Sequence, residues 1–291
     1  SPLFSFDMFF DMGNEGVVTE LPDIYEGFPT SVQPYVAFAL HNEPIGAHPR
    51  FDDGYRGTFT DFLEQFSEDE VPILIKTGGP DKDFQQFAEL SELEYIFKTQ
   101  PNVIGMLQGE TFWDFIDAAY YDDFKKHVLW YQRSLQLARK YGRIVVFGNG
   151  NDEDFVWDTF LGEESSNNIW MPPESIQEAS ANIIPTAKNN IPFGYYHAES
   201  AVMGSWLSGQ SDQWGVWSEG WAWGSIGYDG LFESQTIGNA NDPDFSTMPY
   251  NLWLQMKLAA LSQGATFYHF GGESSVVEWG TYDPSTGHFV I

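Results

Sequence analysis

At 291 residues the chain is long enough for one large α/β domain, since an eight-stranded α/β barrel takes about 250. It has no cysteine, which excludes a disulfide framework, a thiolate nucleophile and zinc–cysteine sites. Its 42 acidic residues against 13 basic ones, a formal net charge of −29, exclude nucleic acid and anionic membranes as natural partners and suit a soluble enzyme with a neutral substrate.

Leu3 to Phe10 is apolar and aromatic apart from Ser5 and Asp7, and reads as a first strand. Leu21 to Thr30, interrupted by Pro22 and Pro29, reads as a linker or a poor helix. Tyr35 to Leu40 is a second strand running into the polar loop His41-Asn42-Glu43-Pro44. Thr58 can cap a helix through Phe66, with Phe59, Phe62, Leu63 and Phe66 at helical spacing. Val71 to Ile75 is a third strand, stopped by Gly78-Gly79-Pro80, and residues 82–98 form a helix with Phe84, Phe87, Leu90, Leu93 and Phe97 along one side. The fourth strand begins at Val103 and ends in Gly109-Glu110, followed by the rings of Phe112 and Trp113. Tyr121 to Tyr141 is the clearest helix, striped by Phe124, Val128, Tyr131, Leu135 and Ala138, with Lys140 in its last turn and Gly142 just past it.

Arg143 to Phe147 is a fifth strand ending in Gly148-Asn149-Gly150-Asn151. Beyond it the pattern weakens to a helix over 153–161, a short Ile169-Trp170-Met171 segment and a weak helix near 174–188. Pro192 to His197 is strand-like and ends at Glu199; Gln213 to Trp217 is another strand, ending at Ser218-Glu219-Gly220. Residues 222–247 read as a long loop, Met248 to Gln263 as a helix, and Ala265 to Phe270 as a last strand stopping at Gly271-Gly272-Glu273. The tail from Ser274 is irregular or a hairpin. About eight strand–helix repeats argue for a (β/α)8 TIM barrel as a single domain over residues 1–291. A doubly wound open sheet is the alternative, without the Gly-rich phosphate loop that such sheets often carry.

Barrel active sites lie at the C-terminal ends of the strands. Those ends supply Asp7 or Asp11, His41 with Asn42, Lys76, Glu110, Asn149, Glu199, Glu219 and Glu273, with Trp113, Trp217, Trp221 and Trp223 close by. A ring of carboxylates among indoles fits glycoside hydrolysis, in which one carboxylic acid protonates the leaving oxygen and a second carboxylate acts as base or nucleophile. Glu110, beside Phe112 and Trp113, is placed where poor solvation of its charge favours the protonated form. The eleven Trp, several of them in Gly-rich stretches, offer faces for sugar rings. The six His show no metal-ligand spacing, although His41, His197 and His269 suit hydroxyl recognition. No G-x-S-x-G elbow is present, and the Asn239–Asp244 loop lacks the Gly and distal Glu of a calcium-binding EF-hand. Neither metal nor cofactor is expected.

Several ordered segments carry a resemblance to a known family. They are Val32-Gln33-Pro34-Tyr35-Val36; Pro101-Asn102-Val103-Ile104-Gly105 with Glu110-Thr111-Phe112-Trp113; Lys140-Tyr141-Gly142; Leu207-Ser208-Gly209 with Gln213-Trp214-Gly215; and Gly271-Gly272-Glu273. Together they resemble the catalytic barrel of glycoside hydrolase family 98, which is known for blood-group endo-β-1,4-galactosidases and has xylan-cleaving members. The resemblance implies a secreted, inverting, endo-acting enzyme with Glu110 as general acid. Glu273, with the carboxylate after the Gln213-Trp214-Gly215 strand, would form the base pair. Glu219 stands at that step where the family usually has Asp; Asp212 and Glu199 are the alternatives. His41, Asn149, Glu199, Trp113, Trp217 and Trp221 are then expected to bind the oligo- or polysaccharide substrate, in a monomer. The family's enzymes carry a β-rich module after the barrel, toward which the tail 274–291 would lead. Ser1-Pro2-Leu3 lacks an initiator Met and a basic leader, so a processed product is expected. A carbohydrate-binding barrel without catalysis and a retaining glycosidase are the rival readings.

Overall fold

The computed structural model describes residues 2–8, 21–41, 63, 66, 70–77, 90–108, 121–148, 178–188, 192–219, 250–271, 281–283 and 288–290. Eight strands follow one another around a closed barrel: β1 (Leu3–Met8), β2 (Val36–His41), β3 (Ile73–Thr77), β4 (Val103–Gln108), β5 (Ile144–Gly148), β6 (Ile183–Lys188), β7 (Gly215–Glu219) and β8 (Phe267–Gly271). Every neighbouring pair is parallel, and β8 returns to β1 through pairs such as Ser5↔His269. The expected (β/α)8 closure is therefore present. A short antiparallel hairpin, β9 (Thr281–Asp283) with β10 (His288–Val290), lies in the tail.

Strand alternation sorts the side chains into two cores. Val36, Phe38 and Leu40 join the core between sheet and helices, whereas Ala37 and Ala39 belong with Leu74, Leu107, Val146, Ile184, Trp217 and Phe267 in the bore. Large residues thus face the helices, where space is ample, and small ones from β2 leave the bore to rings from β7 and β8. Each fully buried Phe, Leu or Val contributes about 1.5–3 kcal/mol relative to exposure. At Gly105 the backbone of β5 leaves no room for a side chain, since a Cβ there would fall 2.0 Å from the Ile144 carbonyl oxygen.

The described helices are α1 (Leu21–Gly27), α2 (Leu90–Thr99), α3 (Tyr121–Tyr141), α4 (Pro192–Leu207) and α5 (Tyr250–Ser262). α3 has the bounds its apolar stripe suggests. Its end is the Schellman turn that Gly142 allows: Gly142 has φ +66, Arg143 N–H donates to Ala138 O at 2.7 Å and Gly142 N–H to Arg139 O at 3.3 Å. Arg143 then donates to the carbonyls of Phe97, Gln100 and Pro101, tying the end of α2 to the start of β5.

Of the two forms expected for residues 21–30, residues 21–27 take the helical one, with Pro22 in the first turn, where its missing N–H is not needed. Two other expectations are corrected. The weak helix expected near 174–188 gives way to β6 from Ile183; residues 178–179 are helical, and 174–177 lie outside the described residues. Pro185 concealed that strand; β6 tolerates it because pairing with β7 begins only at Thr186↔Gly215. The strand expected over 192–197 is the start of α4, whose aromatic residues resemble a strand by composition alone. The remaining expected elements, the helix over 58–66 apart from Leu63 and Phe66, residues 82–89, 153–161, 169–171 and 222–247, lie outside the described residues.

Candidate active site

Parallel strands put all eight C-terminal ends on one rim. β4 ends at Gln108, two residues before Glu110. β7 ends at Glu219, which pairs with Gly271 at the end of β8, two residues before Glu273. In the ring order β4 stands opposite β8, and β7 is next to β8. The strands leading to the three glutamates thus open one across the mouth from two adjacent ones. Glu110, Trp113, Asn149, Trp221, Trp223 and Glu273 themselves lie outside the described residues, and for His41 and Glu219 only the backbone position is described.

Below the rim the bore is filled by polar and aromatic side chains. Trp217 from β7 packs edge-on against His269 from β8, with ring centroids 4.3 Å apart and planes at 77°. Lys76 Nζ from β3 lies 5.1 Å from the centroid of the Trp217 ring. His269 Nδ1 is 3.2 Å from Ser5 Oγ. A Cβ on Gly148 would come within 2.1 Å of Trp217 Cε3, so β5 ends in glycine where the indole needs room. Thr186 Oγ1 donates to Phe147 O at 3.0 Å, holding β6 to β5 beneath the same ring.

This arrangement corrects two expected roles. Trp217 was a candidate platform for a sugar ring, but it is only 1% exposed and packs inside the bore against Lys76 and His269 rather than offering an open face. Glu199 is not at a strand end; it lies midway along α4, buried, accepting a hydrogen bond from Gln263 Nε2 at 3.3 Å just beyond α5. Burial pushes its carboxyl above the usual range, and the Gln263 bond only partly opposes this. His197 likewise lies in α4. Asp212, the other alternative base, precedes β7 at the opposite end of the barrel, where its N–H donates to Ser180 O. With both alternatives away from the rim, Glu219 is the carboxylate that β7 brings to it.

Ser5 and the placement of Lys76 were not assigned roles by sequence reasoning; the polar residue inside an otherwise apolar strand was the available signal in both cases. Lys257, by contrast, is a buried amine of the helix layer, against Phe270 at 5.6 Å, and burial lowers it to about 7. It lies on α5, outside the bore. Among the described residues no group of three or more His, Asp or Glu could hold a metal ion. No described helix is long and apolar enough to cross a membrane.

Comparison with known sequences agrees with this geometry. Residues 12–280 match the sequence pattern of glycosyl hydrolase family 98. The chain belongs to that family. One relative, a blood-group-substance endo-1,4-beta-galactosidase of Clostridium perfringens, is 23% identical over 229 residues. The match covers 72% of this chain and 26% of that relative, so the chain spans about a quarter of its length. Among solved structures, the catalytic module of a family 98 enzyme from Streptococcus pneumoniae TIGR4, in complex with the H-disaccharide blood group antigen, superposes with a TM-score of 0.71 at 20% identity. That superposition covers 95% of this chain and 47% of the module. The same module with the LewisY pentasaccharide gives a TM-score of 0.66 at 21% identity, covering 93% and 46%. These likenesses establish a common barrel fold.

Proposed function

We propose that this chain is the catalytic barrel of a secreted, endo-acting β-glycoside hydrolase that cleaves an internal β-1,4 linkage with inversion. One observation carries the reading: in a family 98 chain, β4 leads to Glu110 across the barrel mouth from β7 and β8, which lead to Glu219 and Glu273. Glu110 protonates the glycosidic oxygen as its bond to the anomeric carbon breaks. A water bound by Glu219 and Glu273 attacks that carbon from the opposite face and gives its proton to the pair. Such inversion needs carboxyl groups about 6.5–9.5 Å apart, leaving room for the water, and acid and base on opposite strands suit that span. The role is acid–base throughout, with no covalent sugar intermediate.

The names of the relatives support a galactosyl linkage in a blood-group-type glycan as the first substrate to test, with a xylosyl linkage in a complex xylan as the second. A neutral glycan also escapes the repulsion that a net charge of −29 would impose on an anionic one. Reducing-end release from the LewisY pentasaccharide, mucin-type glycans, galactan and arabinoxylan identifies the substrate. On that substrate Glu110→Gln is expected to lose about 10²–10⁴-fold in kcat while binding is retained. Near-normal turnover would remove Glu110 from the mechanism. Proton NMR of the first product is expected to show the α-anomer; the β-anomer appearing first would instead mean retention.

A further inference from the structure

In a (β/α)8 barrel the chain leaves each strand by a right-handed crossover, so the helix after a strand lies outside the seam between that strand and the next. α1 follows β1 in this way, α4 follows β6 and α5 follows β7. The seam between β8 and β1 closes the barrel. Past β8, the described residues pair as the β9–β10 hairpin, and no helix is found among them.

The outer side of that seam is aromatic. Phe4 stacks on Tyr268 at 5.3 Å and on Phe270 at 6.4 Å, and Phe6 stacks on Phe270 at 4.9 Å. Tyr268 and Phe270 are buried, whereas Phe4 and Phe6 are only half-buried. One bank of the seam is the end of α1, where Phe28 packs on Phe6 at 5.8 Å. The other bank is α5, on which Leu254, Leu258 and Leu261 recur at helical spacing as one stripe. At 3.6 residues per turn, Leu258 and Leu261 lie roughly 140° and 160° around the axis from Gln263, the residue that reaches Glu199 of α4. The stripe therefore looks away from α4 and toward β1. Leu258 is 52% exposed and Leu261 49%. A lone exposed leucine means little, but a leucine stripe beside half-buried rings makes a continuous apolar surface.

Two properties define what fits there. A closed barrel has no free sheet edge for an added strand, whereas a helix satisfies its own backbone and needs only an apolar face to lie on. From Tyr250 to Gly271 the one Asp, Glu, Lys or Arg is Lys257, which is buried, so this bank selects by apolar contact. The outer side of an occupant meets the field of a chain with net charge −29, and Lys or Gln suits it better than Asp or Glu.

We propose that the β8–β1 seam is a docking groove for an amphipathic α-helix, carried by polypeptide of the same protein outside residues 1–291, that lays its apolar stripe on Phe4, Leu258 and Leu261. Chains with this barrel do carry further polypeptide: the superposed Streptococcus pneumoniae module is matched over 47% of its length. The inference does not depend on the hydrolytic reading.

The test joins a designed helix of about 18 residues, about 27 Å long, to Ile291 through a Gly/Ser linker. Its apolar face carries Leu at i, i+3, i+4 and i+7, with Lys and Gln elsewhere; a second fusion has the same composition in scrambled order. The striped fusion is expected to melt about 2–4 °C above the scrambled one and to bind less of a dye specific for apolar surface. Leu258→Gln with Leu261→Gln, both made at half-exposed positions, is expected to cancel that difference. Equal melting of the two fusions overturns the proposal. So does a gain that survives L258Q/L261Q, which would place the helix elsewhere. Dimerisation of the unfused chain in sedimentation, lost in L258Q/L261Q, also overturns it, because the occupant would then be a second copy.

Discussion

A single missing methyl group sets the floor of the site. Gly148 closes β5 under the indole of Trp217, and an added Cβ would meet Cε3 at 2.1 Å, Cζ3 at 2.4 Å and Thr186 Oγ1 at 2.9 Å. The ring cannot easily move aside, because Lys76 lies over it and His269 abuts it. Overpacking of this kind typically costs about 1–3 kcal/mol. Gly148→Ala should therefore lower the urea midpoint by that equivalent with an unchanged m-value. Trp217→Phe in the same background should recover part of the loss, giving a non-additive double-mutant cycle. Simple additivity would show that the contact is not what excludes alanine. The burial of Trp217 was not legible in the sequence for the same reason: its neighbours come from β3, β5 and β8, far apart along the chain. An indole beside a glycine-rich loop reads as a sugar platform until those strands are brought together.

At the level of elements, most strands were legible because an apolar run ends in polar or glycine-rich residues at the rim. The Val103–Gln108 run before Gly109-Glu110 is the clearest case. β6 was hidden by Pro185, yet its start repeats a visible device. Asn102 precedes Val103-Ile104 and Asn182 precedes Ile183-Ile184, and in each case the Asn carbonyl accepts from the strand before: Ile73 N–H at 2.9 Å and Val145 N–H at 2.7 Å. Their side chains tie the floor opposite the site, Asn102 to Phe66 O and Asn182 to Arg143 O. α4 was misread because its apolar residues lie on every side, leaving no helical stripe.

The same misreading put Glu199 at the rim, and its actual place makes a testable claim about α4. Burial between α4 and the end of α5 disfavours its charge, so its folded proton affinity exceeds the unfolded one. By linkage, its contribution is most favourable at acidic pH and is lost as pH rises through the raised folded value. Glu199→Gln keeps the shape, can still bond Gln263, and carries no charge. It should be more stable than the parent at pH 7, with the difference shrinking as pH falls below the usual carboxylate range. Chemical denaturation at several pH values reads this directly. A variant less stable at pH 7 would mean that the carboxylate has a compensating role, and catalysis should be untouched in either case.

Across the whole molecule, the dominant electrostatic property is a large excess of negative charge. Forty-two acids face thirteen bases, and the sequence isoelectric point is about 4.2. Two ion pairs, Arg139 with Glu178 and Lys140 with Glu94, are exposed on the helix layer and contribute little. Folding therefore gathers like charges that the unfolded chain keeps farther apart. Salt shortens the reach of that repulsion, from about 8 Å at physiological ionic strength to about 3 Å at 1 M. Raising NaCl from low concentration to about 0.5 M at pH 7 should raise Tm by about 2–5 °C, the equivalent of ~1–2 kcal/mol in a chain of this size. At pH 5, where more carboxylates are neutral, the gain should be smaller. A fall in Tm with salt at pH 7 would mean that attractive pairs outweigh the repulsion. The proposed substrate supplies an internal control: a neutral glycan feels no long-range field, so its KM should stay constant over the same salt range while Tm rises. A strongly salt-dependent KM would point to a charged substrate and to lysines at the mouth that bind it.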